Sequence, residues 1–289
     1  NLIFILSLLF NEVPGMAQDP NAPNRAAWMA DGSYGIMVHY LITPNGTTAA
    51  EKTADFNRII DNFDLDAFMA QFDASKADWL IFTIGQNTGV WNSPNAWLDK
   101  RLPGLTPRRD LVVEVAQAIH QREKRFIAYL PAEVTAQADP IKQVFDWEDN
   151  DHTAFPSKYL NFVRAYAIKL GENCDGWWFD GCYDWVSNGQ WDWNAWCAAA
   201  RAGNPQAAVA LNDGSFCVGQ IDAVSPAQDY LSGEVHLLEN SQIRLDYFSG
   251  DDMKNLRLTP EGYLRAGDRE PIYYMPDSQL VKGIQGQAP

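Results

Sequence analysis

Short, nearly continuous apolar runs alternate along this chain with longer segments whose apolar positions recur every three or four residues. The first run is YGIMVHY (34–40), followed by FDLDAFMAQF (63–72), which sets Leu65, Phe68, Met69 and Phe72 on one helical face behind an Asp64 cap. A second run, DWLIFTIG (78–85), leads to LTPRRDLVVEVAQAIHQRE (105–123), where Thr106 is the predicted N-cap and Pro107 the first helical position. Leu111, Val112, Val115, Ala116 and Ile119 form the apolar stripe of that helix. The third run, RFIAYLPAE (125–133), precedes a helix in SKYLNFVRAYAIKL (157–170) carrying Tyr159, Phe162, Val163, Tyr166 and Leu170 inward. DGWWFD (175–180) is the fourth run. A helix near Trp193 to Ala202 comes next, then AAVALND (207–213), QDYLSGEVH (228–236) and PIYYM (271–275).

Strands without apolar/polar alternation, interleaved with amphipathic helices, are parallel and buried on both faces. Two architectures satisfy that pattern: the doubly wound open sheet and the (β/α)8 barrel. No glycine-rich phosphate loop follows the first strand, which removes the usual reason for the former. Polar groups instead close the runs: His39 and Tyr40, Gln86 and Asn87, Glu133, Asp180, Asn212 and Asp213, Glu234. Strand ends converging on one mouth predict an α/β (β/α)8 TIM-like barrel over 18–289, with the polar stretch from Thr135 to Asp151 as a long loop above it. An eighth strand is not evident after PIYYM, so the barrel is expected to be incomplete or irregular at its C-terminal end.

Composition narrows the partners. The formal charge of −15 repels phosphate backbones and anionic headgroups, which excludes nucleic acid and membrane surfaces. Eleven Trp, eleven Tyr and fourteen Phe supply flat apolar faces of the kind that sugar rings pack against, so the expected partner is a carbohydrate. Cys174, Cys182, Cys197 and Cys217 lack histidines at zinc-like spacing, so neither metal nor cofactor is expected; disulfides and buried free thiols both stay open. The apolar start NLIFILSLLF, with Gly15 and Ala17 before Gln18, reads as part of an export signal over 1–17, giving a secreted or periplasmic protein.

The chemistry concentrates in CDGWWFDGCYDW (174–185). Two-residue alternation sends Trp178 and Asp180 to the same face, which singles out Trp178 among the neighbouring tryptophans. An aspartate at a strand end also serves simply as a cap for the next loop or helix, and Asp175 and Asp184 read as ordinary loop acids.

The assembly YGIMVHY, FDLDAFMAQFDASKADWLIFT, GWWFDG and DYLSGE resembles the retaining α-L-fucosidases of glycoside hydrolase family 29 and their relatives, from about Tyr34 to Glu239. The resemblance implies that His39 contacts the sugar, Asp180 is the nucleophile, Trp178 lines the site and Glu234 is the acid/base, with Glu133, Asp184 and Glu239 as substitutes. The chain departs from that family after the second strand, where TIGQNTGVWNSPN stands in place of a His-His pair. There Gln86 and Asn87 offer amide donors and acceptors to hydroxyls, and the change points to a different or internal linkage. Two carboxyls would then divide the work, one attacking the anomeric carbon while the other protonates the leaving oxygen. The alternatives are an inactive carbohydrate-binding barrel that keeps the aromatic mouth and an endo-acting hydrolase of a fucose-containing polysaccharide.

Overall fold

The computed structural model describes residues 25–212 and 224–232, together with the backbone of four short strands between 256 and 281. The strands are β1 (Gly35–Val38), β2 (Trp79–Thr83), β3 (Arg125–Pro131), β4 (Gly176–Asp180), β5 (Ala208–Leu211), β6 (Tyr230–Leu231), β7 (Leu256–Leu258), β8 (Tyr263–Ala266), β9 (Ile272–Tyr274) and β10 (Leu280–Val281). The helices are α1 (Trp28–Asp31), α2 (Ala49–Asp61), α3 (Leu65–Ser75), α4 (Ala96–Asp99), α5 (Leu111–His120), α6 (Asp139–Val144), α7 (Phe155–Leu170), α8 (Asp184–Ser187) and α9 (Trp193–Ala200). The export signal read at 1–17 lies outside the described residues.

Each predicted run from 34 to 211 forms a strand, and they pair in parallel in the order β10-β1-β2-β3-β4-β5. A second sheet, β6-β9-β8-β7, pairs β6 with β9 in parallel and β7, β8 and β9 antiparallel. The described strands therefore form a parallel α/β sheet beside a mixed one and not one ring of eight. The physical reason is spacing: residues 259–262 are too few for the crossover of a dozen or more residues that parallel neighbours require, so β7 and β8 pair antiparallel.

Burial on both faces follows from the alternation in each strand. Leu80 and Phe82 of β2, Phe126, Ala128 and Leu130 of β3, Trp177 and Phe179 of β4, and Val209 and Leu211 of β5 pack with the helices. The opposite face carries Trp79, Ile81, Ile127, Tyr129, Trp178, Ala208 and Ala210, and these meet Tyr230 together with Ala26 and Met29 of the N-terminal segment. Gly35 is required on this face, because a Cβ there would lie 1.9 Å from Nε1 of the Trp79 indole that crosses it.

The helices begin where their chemistry dictates. Thr48 and Glu51 form a capping box at α2, and Asp64 caps α3 through the Ala67 amide, as the sequence predicts. The expected start of α5 is corrected: Asp110, not Thr106, accepts from the Val113 amide, while the Thr106 hydroxyl donates to Asp99. The polar stretch after β3 is more ordered than a plain loop, since it contains α6, buries Phe145 and Trp147, and donates from Gln137 Nε2 to the Gln86 carbonyl.

Three aspartates clasp alternate strands at their N-terminal feet. Asp78, before β2, accepts from the Ser33 amide at 2.6 Å; Asp175, before β4, accepts from Phe126 at 2.8 Å; Asp229, before β6, accepts from Val209 at 2.9 Å. Each also meets a cation: Lys124 at Asp78, Arg125 at Asp175, Arg25 and Arg201 at Asp229; the His120 imidazole also bonds Asp175 at 2.7 Å. Asp175 is thus a buried anchor and not a loop acid. Burial pushes its carboxyl up, but the bonds from His120, the Phe126 amide and Arg125 outweigh that and hold it below the usual carboxylate range. Cys174, Cys182 and Cys197 are buried free thiols, and burial pushes Cys197 up to about 12.

Asp175→Ala leaves the buried Phe126 amide without its acceptor and removes the partner of His120 and Arg125; an unsatisfied buried donor costs about 1–3 kcal/mol, to which the half-exposed Arg125 pair adds little. The expected outcome is a lower midpoint in denaturant at pH 7. Because the folded-state pKa is depressed, this contribution is present above the unfolded value and disappears as pH falls through the folded value, so the gap between wild type and variant should close in acid.

Candidate active site

At the opposite end of the sheet the register assembles a polar cluster. Tyr129 pairs with Trp178 and Pro131 with Asp180 across β3 and β4, while Trp178 pairs with Ala210 across β4 and β5. Two residues beyond Ala210 is Asn212, so Tyr129, Asp180 and Asn212 come from three adjacent strands on the face turned away from the helices.

Asp180 is held by four donors. Its Oδ1 accepts from the Gly181 amide and from Asn212 Nδ2, both at 2.9 Å, and its Oδ2 accepts from the Tyr129 hydroxyl and from Gln86 Nε2 at 3.3 Å. An ionised carboxylate has about four lone-pair sites and no donor, so this set matches the anion. Gly181 explains its own place in the motif: φ is +75°, a left-handed turn that brings its amide back onto the preceding side chain, and an added Cβ would lie 3.0 Å from Glu133 Cγ.

The donors are themselves fixed. Asn212 is fully buried, and its Oδ1 accepts from the Ser232 hydroxyl beyond β6 at 2.9 Å. Gln86 Nε2 also donates to the Tyr129 hydroxyl at 2.7 Å. The His39 ring meets the Tyr129 ring edge-on, with centroids 4.8 Å apart, and its Nε2 lies 2.9 Å from Met37 Sδ. Gln86 therefore stands against Asp180 directly, and His39 through the Tyr129 ring.

The other expected site residues divide. Trp178 shares the face of Asp180 but is only 3% exposed and stacks under Tyr129 at 5.2 Å, so it is the floor of the site and not an open platform. Asn87 is exposed and stands outside the hydrogen-bond set around Asp180. Glu133 lies beside Gly181, its carboxylate accepting from the Thr135 amide. Glu234 and its substitute Glu239 fall outside the described residues. Tyr129 and Asn212 carry the site without having been singled out for it; the alternation in FIAYLP and the strand-end position in AAVALND are the signals that mark them.

Comparison with known proteins decides the family. Residues 24–228 match the model described as "Endo-alpha(1,4)-fucoidanase Mef1". The chain belongs to that family. Three endo-fucoidan hydrolases of glycoside hydrolase family 107 have similar structures. MfFcnA4 aligns at TM-score 0.56 and 19% identity over 83% of this chain and 41% of its own. MfFcnA9 aligns at 0.56 and 20% over 85% and 50%, and P5AFcnA at 0.54 and 14% over 81% and 73%. The chain thus spans half or less of the length of the first two, and identities this low speak to the fold alone. No curated protein matches the chain. The fucosidase-like character read from the sequence stands at this coarser level, whereas the finer assignment to glycoside hydrolase family 29 gives way to the endo-fucoidanase family.

Tyr129→Phe removes one hydrogen bond to a charged group while keeping the ring stack on Trp178. Such bonds contribute about 1.5–3 kcal/mol, so glycosidase turnover should fall about 10- to 100-fold with the circular dichroism spectrum unchanged. Equal turnover would show that the Tyr129 hydroxyl does not support the carboxylate's work.

Proposed function

We propose that the chain is an endo-acting glycoside hydrolase that cleaves a fucose-containing polysaccharide of the fucoidan type with retention of anomeric configuration. The observation that carries the reading is the four-donor clasp on Asp180 at the C-terminal end of a parallel strand, in a chain of the endo-fucoidanase family. Gln86, standing where the fucosidases keep a His-His pair, supports action on an internal linkage. A polymer of this size is met outside the cytoplasm, in keeping with the export signal read at 1–17 and a secreted or periplasmic location.

Asp180 Oδ2 attacks the anomeric carbon as a second carboxyl gives its proton to the departing oxygen, forming a glycosyl ester on Asp180. That second group then takes a proton from water, whose oxygen attacks the same carbon and releases Asp180. Of the bonds to Oδ2, the 3.3 Å contact from Gln86 is the longest and is the one that substrate displaces at least cost. The resemblance gives the acid/base role to Glu234; Glu133, beside Gly181, is the substitute among the described residues. His39 and Gln86 bind hydroxyls of the sugar seated over Tyr129.

The test is incubation of fucoidan with wild type, Asp180→Asn, Glu234→Gln and Glu133→Gln, with viscosity and reducing ends read over time. An endo enzyme lowers viscosity early, before many ends appear. Asp180→Asn should lose roughly three orders of magnitude or more, as removal of a covalent nucleophile does in other hydrolases. The acid/base variant should keep activity on an aryl glycoside with a good leaving group while losing it on the polymer. Release of single sugars from chain ends, or an Asp180→Asn variant as active as wild type, would refute the proposal.

A further inference from the structure

Of the eleven tryptophans in this chain, Trp185 alone is exposed, at 56% of its surface. Leaving so large an apolar ring in water costs hydrophobic free energy that burying it would recover, and the other tryptophans are at least half covered. Trp185 is nevertheless not loose. It sits in α8 and stacks on Tyr183 with ring centroids 5.5 Å apart and planes 18° from parallel, which presents one flat indole face outward.

That face borders a cleft of about 390 Å³ between α8 and the insertion after β3. The far wall is rigid: the His152 ring stacks on Trp147 at 3.9 Å, and Trp147 packs edge-on against buried Phe155. His152 is 7% exposed, and its Nδ1–H donates to the Val186 carbonyl at 2.6 Å, which commits Nδ1 and leaves Nε2 to exchange a hydrogen bond with whatever enters. Asn150, Asn188 and Thr135 complete the polar lining. Lys142 and Asp149, also on the cleft, pair with each other at 2.8 Å. An apolar plate beside amide, hydroxyl and imidazole groups is the surface complementary to a sugar ring, which has one apolar face and a rim of hydroxyls.

The cleft adjoins the active site: Thr135 on its lining donates its amide N–H to Glu133, and Glu133 lies beside Gly181, the residue after Asp180. Trp185 lies five residues after Asp180, so their Cα atoms are no more than about 18 Å apart, a span that a short run of linked sugars bridges. We propose that the Trp185 cleft is a second saccharide-binding subsite, holding a sugar of the same polysaccharide chain several units from the bond presented to Asp180, with Trp185 as the stacking face. The inference rests on the hydrolase reading above and deepens it: a subsite distant from the cleaved bond rewards an internal stretch of polymer over a chain end.

Two measurements separate the subsite from the hydrolase reading. In the first, initial rates on fucoidan are compared for wild type, Trp185→Ala, Trp185→Phe and the remote control Ile168→Ala, whose side chain is also exposed, at 61%, but on α7. The expected result is a KM about tenfold higher for Trp185→Ala, equivalent to about 1.4 kcal/mol of binding, with kcat moving less. Trp185→Phe should recover most of the loss and Ile168→Ala should match wild type. In the second, binding without turnover is read by affinity electrophoresis through a fucoidan-containing gel, with Asp180→Asn beside Asp180→Asn/Trp185→Ala. Retardation that depends on Trp185 supports the subsite even if wild type hydrolyses nothing, in which case only the hydrolase reading falls. Equal KM and equal retardation with and without the indole would overturn the subsite while leaving hydrolysis at Asp180 intact.

Discussion

Parallel register is the constraint on which the site depends. Within each strand the side chains alternate faces, and the pairing of β3 with β4 and of β4 with β5 fixes which residues share a level. At the lower level sit Ile127, Gly176 and Ala208; at the next sit Tyr129, Trp178 and Ala210; above them stand Asp180 and Asn212. The change from apolar to polar happens within one step of that ladder. A slip of one residue in β4 would bring Phe179 to this face and turn Asp180 toward the helices, into the apolar cluster that holds Val186 and Trp196 and away from its four donors.

The acidic residues of this chain do different work at the two ends of the sheet. At the feet of β2, β4 and β6, Asp78, Asp175 and Asp229 each meet a backbone amide of the neighbouring strand's start and at least one cation. At the other end the hydrogen-bond donors to Asp180 among the described residues are neutral: an amide N–H, two side-chain amides and a phenol. A carboxylate paired to a cation is partly neutralised, whereas one held by dipoles keeps its full charge while its direction is fixed. The second arrangement suits a group that must attack a carbon.

Much of the architecture was legible because its signal is local. The runs from YGIMVHY to AAVALND became β1 to β5, and the stripes in FDLDAFMAQF, DLVVEVAQAIH and SKYLNFVRAYAIKL became α3, α5 and α7. Helix α2 was not legible, because AAEKTADFNRIID buries little more than Phe56 and Ile60 and its capping box speaks only once the helix is suspected. Asp180, His39, Gln86 and Asn212 were legible as strand-end groups; Tyr129, and the bond that ties Asn212 to Asp180, were not, since they come from lateral pairing between segments more than 30 residues apart. Trp178 was read on the correct face and at the wrong depth. Alternation gives direction, while depth depends on the Tyr129 ring lying over it, a contact that no spacing in the sequence encodes.

The clasped feet also bear on how such a molecule can diversify. Because each aspartate ties neighbouring strands at the end remote from the chemistry, the connections at the opposite rim are relieved of holding the sheet together. The segment after β3 stands at that rim, with a helix and an aromatic wall above the paired β3 and β4. New substrate contacts can therefore accumulate above a framework whose cohesion is decided elsewhere, which makes the rim, and not the sheet, the place where relatives sharing this scaffold would come to prefer different polymers.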